Sequence, residues 1–321
     1  MSFFGGGTDF PAWYKENGGA VLSSTINKYC YVSLRKLPPF FDCKHKIIFF
    51  SKQEAFNEIE EIKHPAVRQI YRFMNVNSDL VMQHDADLPS LSGLGSSSAF
   101  TVGRLHALYA LQGKMVTKKR LALEAIHIEQ DMIKEAVDSQ DQVASAFGDP
   151  NKIIFLEQSN VEVTPLIISV EKAAYQQSWL MLCFTGFARF AVEIEQDKLR
   201  QLENKKAELC TMQALVEQAV KILAGNISGY GEFGRLLNES WMPKKQLSDK
   251  VSTGTIDDIY TKGVNSGALG GKFLGAGGGG FMIFFVRPED PDRLRQGLSH
   301  LLHVPFRFDT LGTQLIYYTE E

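Results

Sequence analysis

Several features that would each point to a function class are missing from this sequence. No GxxxxGK[ST] string occurs, which excludes phosphate binding through a Walker loop. The four cysteines, Cys30, Cys43, Cys183 and Cys210, stand singly without a CxxC pair, and the seven histidines form no HExxH or HxxxH pattern. Neither a zinc knuckle nor a redox dithiol is indicated, so the thiols read as packed side chains. No dense basic block exists: 34 lysines and arginines are interspersed with 37 acidic residues for a net charge of -3. That balance argues against a surface dedicated to nucleic acid or to an anionic membrane, so an anionic ligand must be met by local groups. No apolar run reaches the roughly 18 to 20 residues that span a bilayer. The opening residues also lack a basic segment followed by an apolar core, and a soluble cytoplasmic protein is expected.

What is present suits a folded protein. The 321 residues, 44% hydrophobic and 22% charged, resemble an average soluble chain and suffice for two lobes of about 150 residues each, or for one large one. β-Branched and aromatic residues predict strands within Gly19 to Leu34, Lys46 to Phe50, Asp79 to Met82, Lys152 to Leu156, Val161 to Val170, Trp179 to Phe184, Phe281 to Val286 and Gln314 to Tyr318. Helical spacing of apolar residues predicts helices over Gln53 to Met74, from Ala99 onward, and across Leu121 to Ile133. Further helices are expected over Lys198 to Ala224, Tyr230 to Ser240, Asp257 to Asn265 and Pro291 to Leu302. The group His84, Asp85 and Asp87 precedes Pro89 and reads as a loop.

Three glycine-rich constellations stand out. Gly93-Leu94-Gly95-Ser96-Ser97-Ser98-Ala99 lies directly before a periodic apolar segment, at a helix N-terminus. Free N–H groups and the positive dipole end make such a loop a phosphate site, with serine hydroxyls as further donors or Mg2+ ligands. Taken alone it is equally a flexible connector with Ser98 as a cap. The second run extends from Gly270 through Gly280 and contains Gly275, Gly277 and Gly278. It feeds a strand, whereas a dinucleotide-binding glycine motif follows a strand and opens a helix. The third, Phe3-Phe4-Gly5-Gly6-Gly7-Thr8-Asp9-Phe10-Pro11, holds a carboxylate able to grip vicinal hydroxyls, or is simply a turn.

In this order and at these separations, the three resemble the motifs of the GHMP kinases, the superfamily of galactokinase, homoserine kinase, mevalonate kinase and phosphomevalonate kinase. The resemblance covers essentially the whole chain, and the opening motif is similar to that of bacterial heptose 7-phosphate kinases and fucokinase-like sugar kinases. It implies an α+β fold in two lobes: an N-terminal ribosomal-protein-like lobe over residues 1–170 and a C-terminal ferredoxin-like lobe over 171–321. It implies ATP and Mg2+, and as substrate a small sugar or sugar phosphate, with no nucleic acid or membrane partner and a monomer or homodimer. The leading reaction is phosphorylation of the anomeric hydroxyl of D-glycero-D-manno-heptose 7-phosphate for nucleotide-sugar synthesis. A free sugar such as fucose, or a catalytically silent sugar and ATP sensor, is the alternative.

The same resemblance distributes roles. Gly93, Leu94, Gly95, Ser96, Ser97, Ser98, Gly275, Gly277 and Gly278 would bind the nucleotide, and Glu129 with Ser97 or Ser98 would hold Mg2+. Asp141 would face the acceptor hydroxyl as catalytic base, while Gly6, Gly7, Thr8, Asp9, Gln142 and Arg189 would contact the substrate. Adenine is sought between His45 and Asp85. Two departures from the family pattern have consequences. Many sugar kinases of the family carry an arginine just before the opening strand motif, and Met1 begins immediately after that place, so either the true start lies upstream or another group such as Lys28 stands in. Asp138 stands where glycine is expected, and a second carboxylate there raises the pKa of Asp141.

Overall fold

The computed structural model describes residues 1–49, 52–89, 92–186, 191–225 and 229–319. The chain opens with strand β1 (Ser2–Phe4), helix α1 (Pro11–Asn17) and strands β2 (Gly19–Ser23), β3 (Thr25–Ile26), β4 (Cys30–Lys36), β5 (His45–Phe49) and β6 (Lys52–Phe56). Helix α2 (Pro65–Phe73), strand β7 (Leu80–Ala86) and helices α3 (Ser96–Leu111), α4 (Lys118–His127) and α5 (Gln140–Phe147) follow. Strands β8 (Asn151–Phe155) and β9 (Val161–Pro165) lead to α6 (Val170–Ser178) and β10 (Leu180–Phe184). Next come α7 (Ala191–Gln201), α8 (Lys206–Ala224), α9 (Tyr230–Gln246) and α10 (Gly254–Asn265), then β11 (Ala268–Phe273), β12 (Phe281–Val286), α11 (Pro291–Gly297), β13 (Leu302–His303) and β14 (Phe308–Asp309).

The described residues form three four-stranded sheets, ordered β1-β2-β8-β9, β4-β7-β5-β6 and β11-β12-β10-β13, with a small ribbon of β14 on β3. The first and third are antiparallel throughout, and the second contains the single parallel pair among them, β5 with β7. This is the expected α+β architecture. Strand β12 shows why its sequence is an unbroken apolar run. Phe281, Ile283 and Phe285 enter one core with Phe4, Val216 and Phe233, while Met282, Phe284 and Val286 enter another with Trp241, Ile256 and Leu294. Successive side chains of a strand point to opposite faces, and here both faces are covered, so no polar alternation survives. At about 25 cal/mol per Å2 of apolar area, each buried phenylalanine contributes roughly 2 to 3 kcal/mol. Among the described residues, no helix is long and apolar enough to cross a membrane.

Four local expectations are corrected. The helix predicted over Gln53 to Met74 begins at Pro65, because Lys52–Phe56 pairs with β5 in a hairpin that sets His45 opposite Phe56. The single helix from Lys198 to Ala224 is two, α7 and α8, joined by a 3-10 turn at Leu202–Lys205 that buries Leu202. His84 and Asp85 belong to strand β7 rather than a loop. Gln314 to Tyr318 forms no strand: Ile316 and Tyr317 are more than 80% exposed, so nothing covers a sheet face there.

Candidate active site

The chemistry-bearing residues converge where α3, α5, the opening glycine turn and the β11–β12 loop meet. Gly95 is the N-cap of α3, adopts φ 72°, and no side chain caps the helix. The first N–H groups of α3 therefore lack intrahelical partners and are available to an anion. A β-carbon placed on Gly95 would lie 3.0 Å from Cγ of Asp141. On the other side, a β-carbon on Gly275 would lie 2.6 Å from both Cα and the carbonyl oxygen of Gly93. Two glycine segments some 180 residues apart in sequence thus touch, with the aspartate against one of them. Gly278 is tied elsewhere, its N–H donating to the Val251 carbonyl at 3.0 Å.

Glu129 owes its place to an irregularity. After α4 the chain runs through a π-helical turn, Ile128–Met132, which buries the Glu129 side chain. One oxygen, Oε2, accepts from Ser98 Oγ at 3.1 Å and from Gln142 Nε2 at 2.6 Å. The other, Oε1, is buried without a partner. Burial pushes the carboxyl up to about 7, against the pull of the hydrogen bonds from Thr101, Gln142 and Ser98. An orphaned carboxylate oxygen beside a serine hydroxyl fits a hard cation that takes few protein ligands and completes its shell with water and phosphate oxygens. Among the described residues no cluster of three or more His, Cys, Asp or Glu offers an all-protein cage. Of the two serines named as ligands, Ser98 faces Glu129 and Ser97 is exposed. Gln142, named as a substrate contact, has its amide on Glu129.

Asp141 lies in the first turn of α5, half-buried and crowded by protein. Burial first, and the Asp138 charge second, push its carboxyl up to about 7. Fully buried Asp9 positions it: Oδ1 accepts from Gly7 N–H at 2.8 Å and Oδ2 from Gln140 N–H at 3.0 Å, so the opening turn caps α5 from across the chain. Burial and Asp138 raise the Asp9 pKa, opposed by those backbone bonds. Thr8 is wholly committed to structure, its hydroxyl shared between the Gly5 and Ala20 carbonyls and accepting from Ala20 N–H. Gly6 adjoins the Gln140 amide, while Leu94 is half-buried and packs on the core that contains Leu274. Lys28 lies in the turn between β3 and β4. Arg189 lies outside the described residues.

Sequence reasoning missed two sets of residues. Lys198, Lys244 and Lys272 are all buried, with Lys244 Nζ donating to the carbonyls of Phe273 and Gly275 at 2.9 and 2.7 Å, and Lys272 Nζ to Phe3 O at 2.9 Å. Lys272 stood inside a quoted motif, and Lys198 only marked the start of an expected helix. The second is Arg104 of α3, fully buried with no partner for its three nitrogens, over the rings of Phe49 and Phe100. It is surrounded by His64 and His84, whose pKa values burial pushes down to about 4, both from the segment suspected of holding adenine. A lone arginine among apolar residues carries no sequence signal of its own.

Known proteins resemble this chain in sequence and fold. Residues 60–149 match the GHMP kinases N terminal domain, and residues 213–303 match the GHMP kinases C terminal domain. The sequence is 32% identical over 312 residues to D-glycero-alpha-D-manno-heptose 7-phosphate kinase of Campylobacter jejuni, covering 93% of this chain and 90% of the relative. A D-glycero-D-manno-heptose 1-phosphate kinase from Bacteroides thetaiotaomicron superposes with a TM-score of 0.80 at 22% identity, over 99% of this chain and 97% of that one. A putative sugar kinase from Campylobacter jejuni gives a TM-score of 0.72 at 27% identity, over 97% and 94%.

Proposed function

Since the chain belongs to the GHMP kinases, we propose that it transfers the γ-phosphate of ATP to the anomeric hydroxyl of D-glycero-D-manno-heptose 7-phosphate, an activation step toward a nucleotide sugar. The observation that carries this reading is the contact of Gly95 with Asp141: the helix end suited to a phosphate and the carboxylate suited to a hydroxyl are neighbours. We place the nucleotide-binding lobe at residues 1–170 and the second lobe at 171–321.

Phosphoryl transfer passes through a loose transition state, so positioning and charge neutralisation dominate its rate. The N–H groups at the start of α3 offer hydrogen bonds to phosphate oxygens, and Gly93 against Gly275 holds the two loops together around them. Glu129 Oε1 and Ser98 Oγ would hold Mg2+, which supplies positive charge to the triphosphate when bound. Gln142 keeps the Glu129 carboxylate oriented by holding its other oxygen. Asp141 accepts the acceptor hydroxyl's proton, and a pKa of about 7 places it near the optimum for a base working at neutral pH.

Release of ADP, followed with a panel of sugars and sugar phosphates, tests the reading, with heptose 7-phosphate expected as the preferred acceptor. Asp141→Asn is expected to lower kcat by roughly 10²- to 10⁴-fold with the KM for ATP within about threefold of the wild type. Normal turnover of that variant removes Asp141 from the mechanism. A preference for fucose moves the substrate to a free sugar, and silence toward every acceptor leaves a sensor.

A further inference from the structure

Gln140, the residue before Asp141 in the first turn of α5, is held at two points. Its backbone N–H donates to Asp9 Oδ2 at 3.0 Å, and its side-chain Nε2 donates to Asp138 Oδ2 at 2.9 Å. A carboxylate accepts and does not donate, so the amide turns its NH2 group toward Asp138 and its carbonyl the other way. Asp138 stands where the family pattern has glycine, and a glycine there would leave that orientation unset. The carbonyl oxygen, Oε1, is buried with no partner, on a residue that is 6% exposed. A buried acceptor without a donor is unfavourable, and such an atom in a folded protein calls for a reason.

This oxygen belongs to a small polar cradle over the opening turn. A β-carbon built on Gly6 would lie 3.3 Å from Gln140 Nε2, 3.3 Å from Ser2 Oγ and 3.7 Å from Gln140 Oε1. Ser2 Oγ is likewise buried without a partner. Gly6 lacks the positive φ of Gly5 and Gly7 on either side of it, so its backbone does not require glycine. What a side chain there would do is fill the space between these polar atoms. The cradle is not sealed in the interior. Ser2 and Asp138, which form its sides, and Asp141, next in the chain, are each only half-buried. Two orphaned oxygens therefore gather beside the residue assigned as the base, at the edge of the protein rather than deep within a core.

We propose that Gln140 Oε1, oriented by Asp138 and assisted by Ser2 Oγ, accepts a hydrogen bond from a sugar hydroxyl other than the one that is phosphorylated, and so selects acceptors that carry a hydroxyl at that place. The proposal rests on the kinase reading above and deepens it. A hydroxyl there gives the amide oxygen the donor that the protein withholds, and Ser2 can accept from or donate to a neighbouring one. Because Gln140 and Asp141 are consecutive in one helical turn, a sugar gripped by the first is registered against the second.

The test compares kcat/KM for heptose 7-phosphate and for analogues each lacking one non-reacting hydroxyl, in the wild type and in Gln140→Met, which keeps the side-chain length and removes its polar atoms. In the wild type one analogue is expected to be poorer than the parent by about 5- to 100-fold, the range for leaving a buried acceptor unpaired. In Gln140→Met the same analogue should come within about threefold of the parent. A loss that is equal for the parent and every analogue marks a structural role and overturns the proposal, as does an unchanged wild-type preference. Gly6→Ala is the second variant should Gln140→Met fail to fold: its methyl enters the cradle without a backbone penalty. It should raise the acceptor KM by about tenfold or more and leave the KM for ATP within about threefold, and an unchanged acceptor KM overturns the proposal. Calorimetry of the same sugars without nucleotide separates the two readings. Binding to the wild type with a hydroxyl preference that Gln140→Met loses supports the cradle even if no ADP is released, an outcome that removes the kinase reading alone, and no binding to the wild type overturns the cradle.

Discussion

The contact between Gly93 and Gly275 invites a quantitative test through Gly275→Ala. Gly275 has φ 67°, a left-handed conformation that is unfavourable for alanine by about 1 to 2 kcal/mol. Its β-carbon would also sit 2.6 Å from the Gly93 backbone, well inside van der Waals contact. Neither backbone can rotate away as a side chain would, so an overpacking term of about 1 to 3 kcal/mol is added, for a total of about 2 to 5. Gly113 provides the control. It has φ 64°, and nothing lies within 4 Å of the β-carbon position, so Gly113→Ala carries only the conformational term, partly offset by a stiffer unfolded chain. Urea unfolding followed by tryptophan fluorescence suits this comparison, because Trp13, Trp179 and Trp241 are buried one in each core cluster. Gly275→Ala is expected to be less stable than Gly113→Ala by about 1 to 3 kcal/mol. Because relief of the overlap parts the two loops, it should also raise the KM for ATP by about tenfold, equivalent to ~1.4 kcal/mol. Indistinguishable midpoints and equal ATP KM values for the two variants would refute the idea that these loops are clamped together.

Further outcomes follow from the raised carboxylates. Glu129→Gln should raise the Mg2+ concentration needed for half-maximal ADP release by at least about tenfold, as loss of a ligand does, without lowering the melting temperature, because burial disfavours the charge that is removed. A variant that melts lower but responds to Mg2+ as the wild type does would make Glu129 structural. For Asp141 the competent form is the ionised one, so kcat/KM for the acceptor should rise with pH through about 7. Asp138→Asn should move that limb downward while leaving it above the ordinary carboxylate range, since burial is the larger cause. A profile flat from pH 5.5 to 8.5, on the order of 1.5 units either side of 7, sinks this assignment. The same shift has a stability consequence of defined sign. The folded state binds this proton more tightly than the unfolded chain, so the ligand-free protein loses stability as pH rises from about 4 through about 7.

Local patterns revealed the strands and helices that carry their own signals, such as β12 with six consecutive apolar residues and α3 opening directly after Gly95. The failures have a common cause. The stretch Gln53 to Met74 carries apolar residues at helical intervals, yet the backbone of its first residues is satisfied by β5. The break between α7 and α8 contains neither glycine nor proline, so nothing local announces it, and the burial of Leu202 settles it. Asp9 shows how tertiary contacts add to a local reading in the site. Its side chain suggested a grip on sugar hydroxyls, and the fold adds that both its oxygens hold the backbone of the opening turn and of α5.

By itself the sequence determined the residue types and their order: two glycine-lined turns, a serine-rich helix start, and acids at 129 and 141. It did so because backbone freedom at glycine and free N–H groups at a helix end are local properties. Only the tertiary structure decided that Gly93 meets Gly275, that the π-helical turn leaves one Glu129 oxygen unpaired, and that Lys198, Lys244 and Lys272 are buried. Those outcomes depend on desolvation and on fields between groups far apart in the chain, quantities that no stretch of sequence contains.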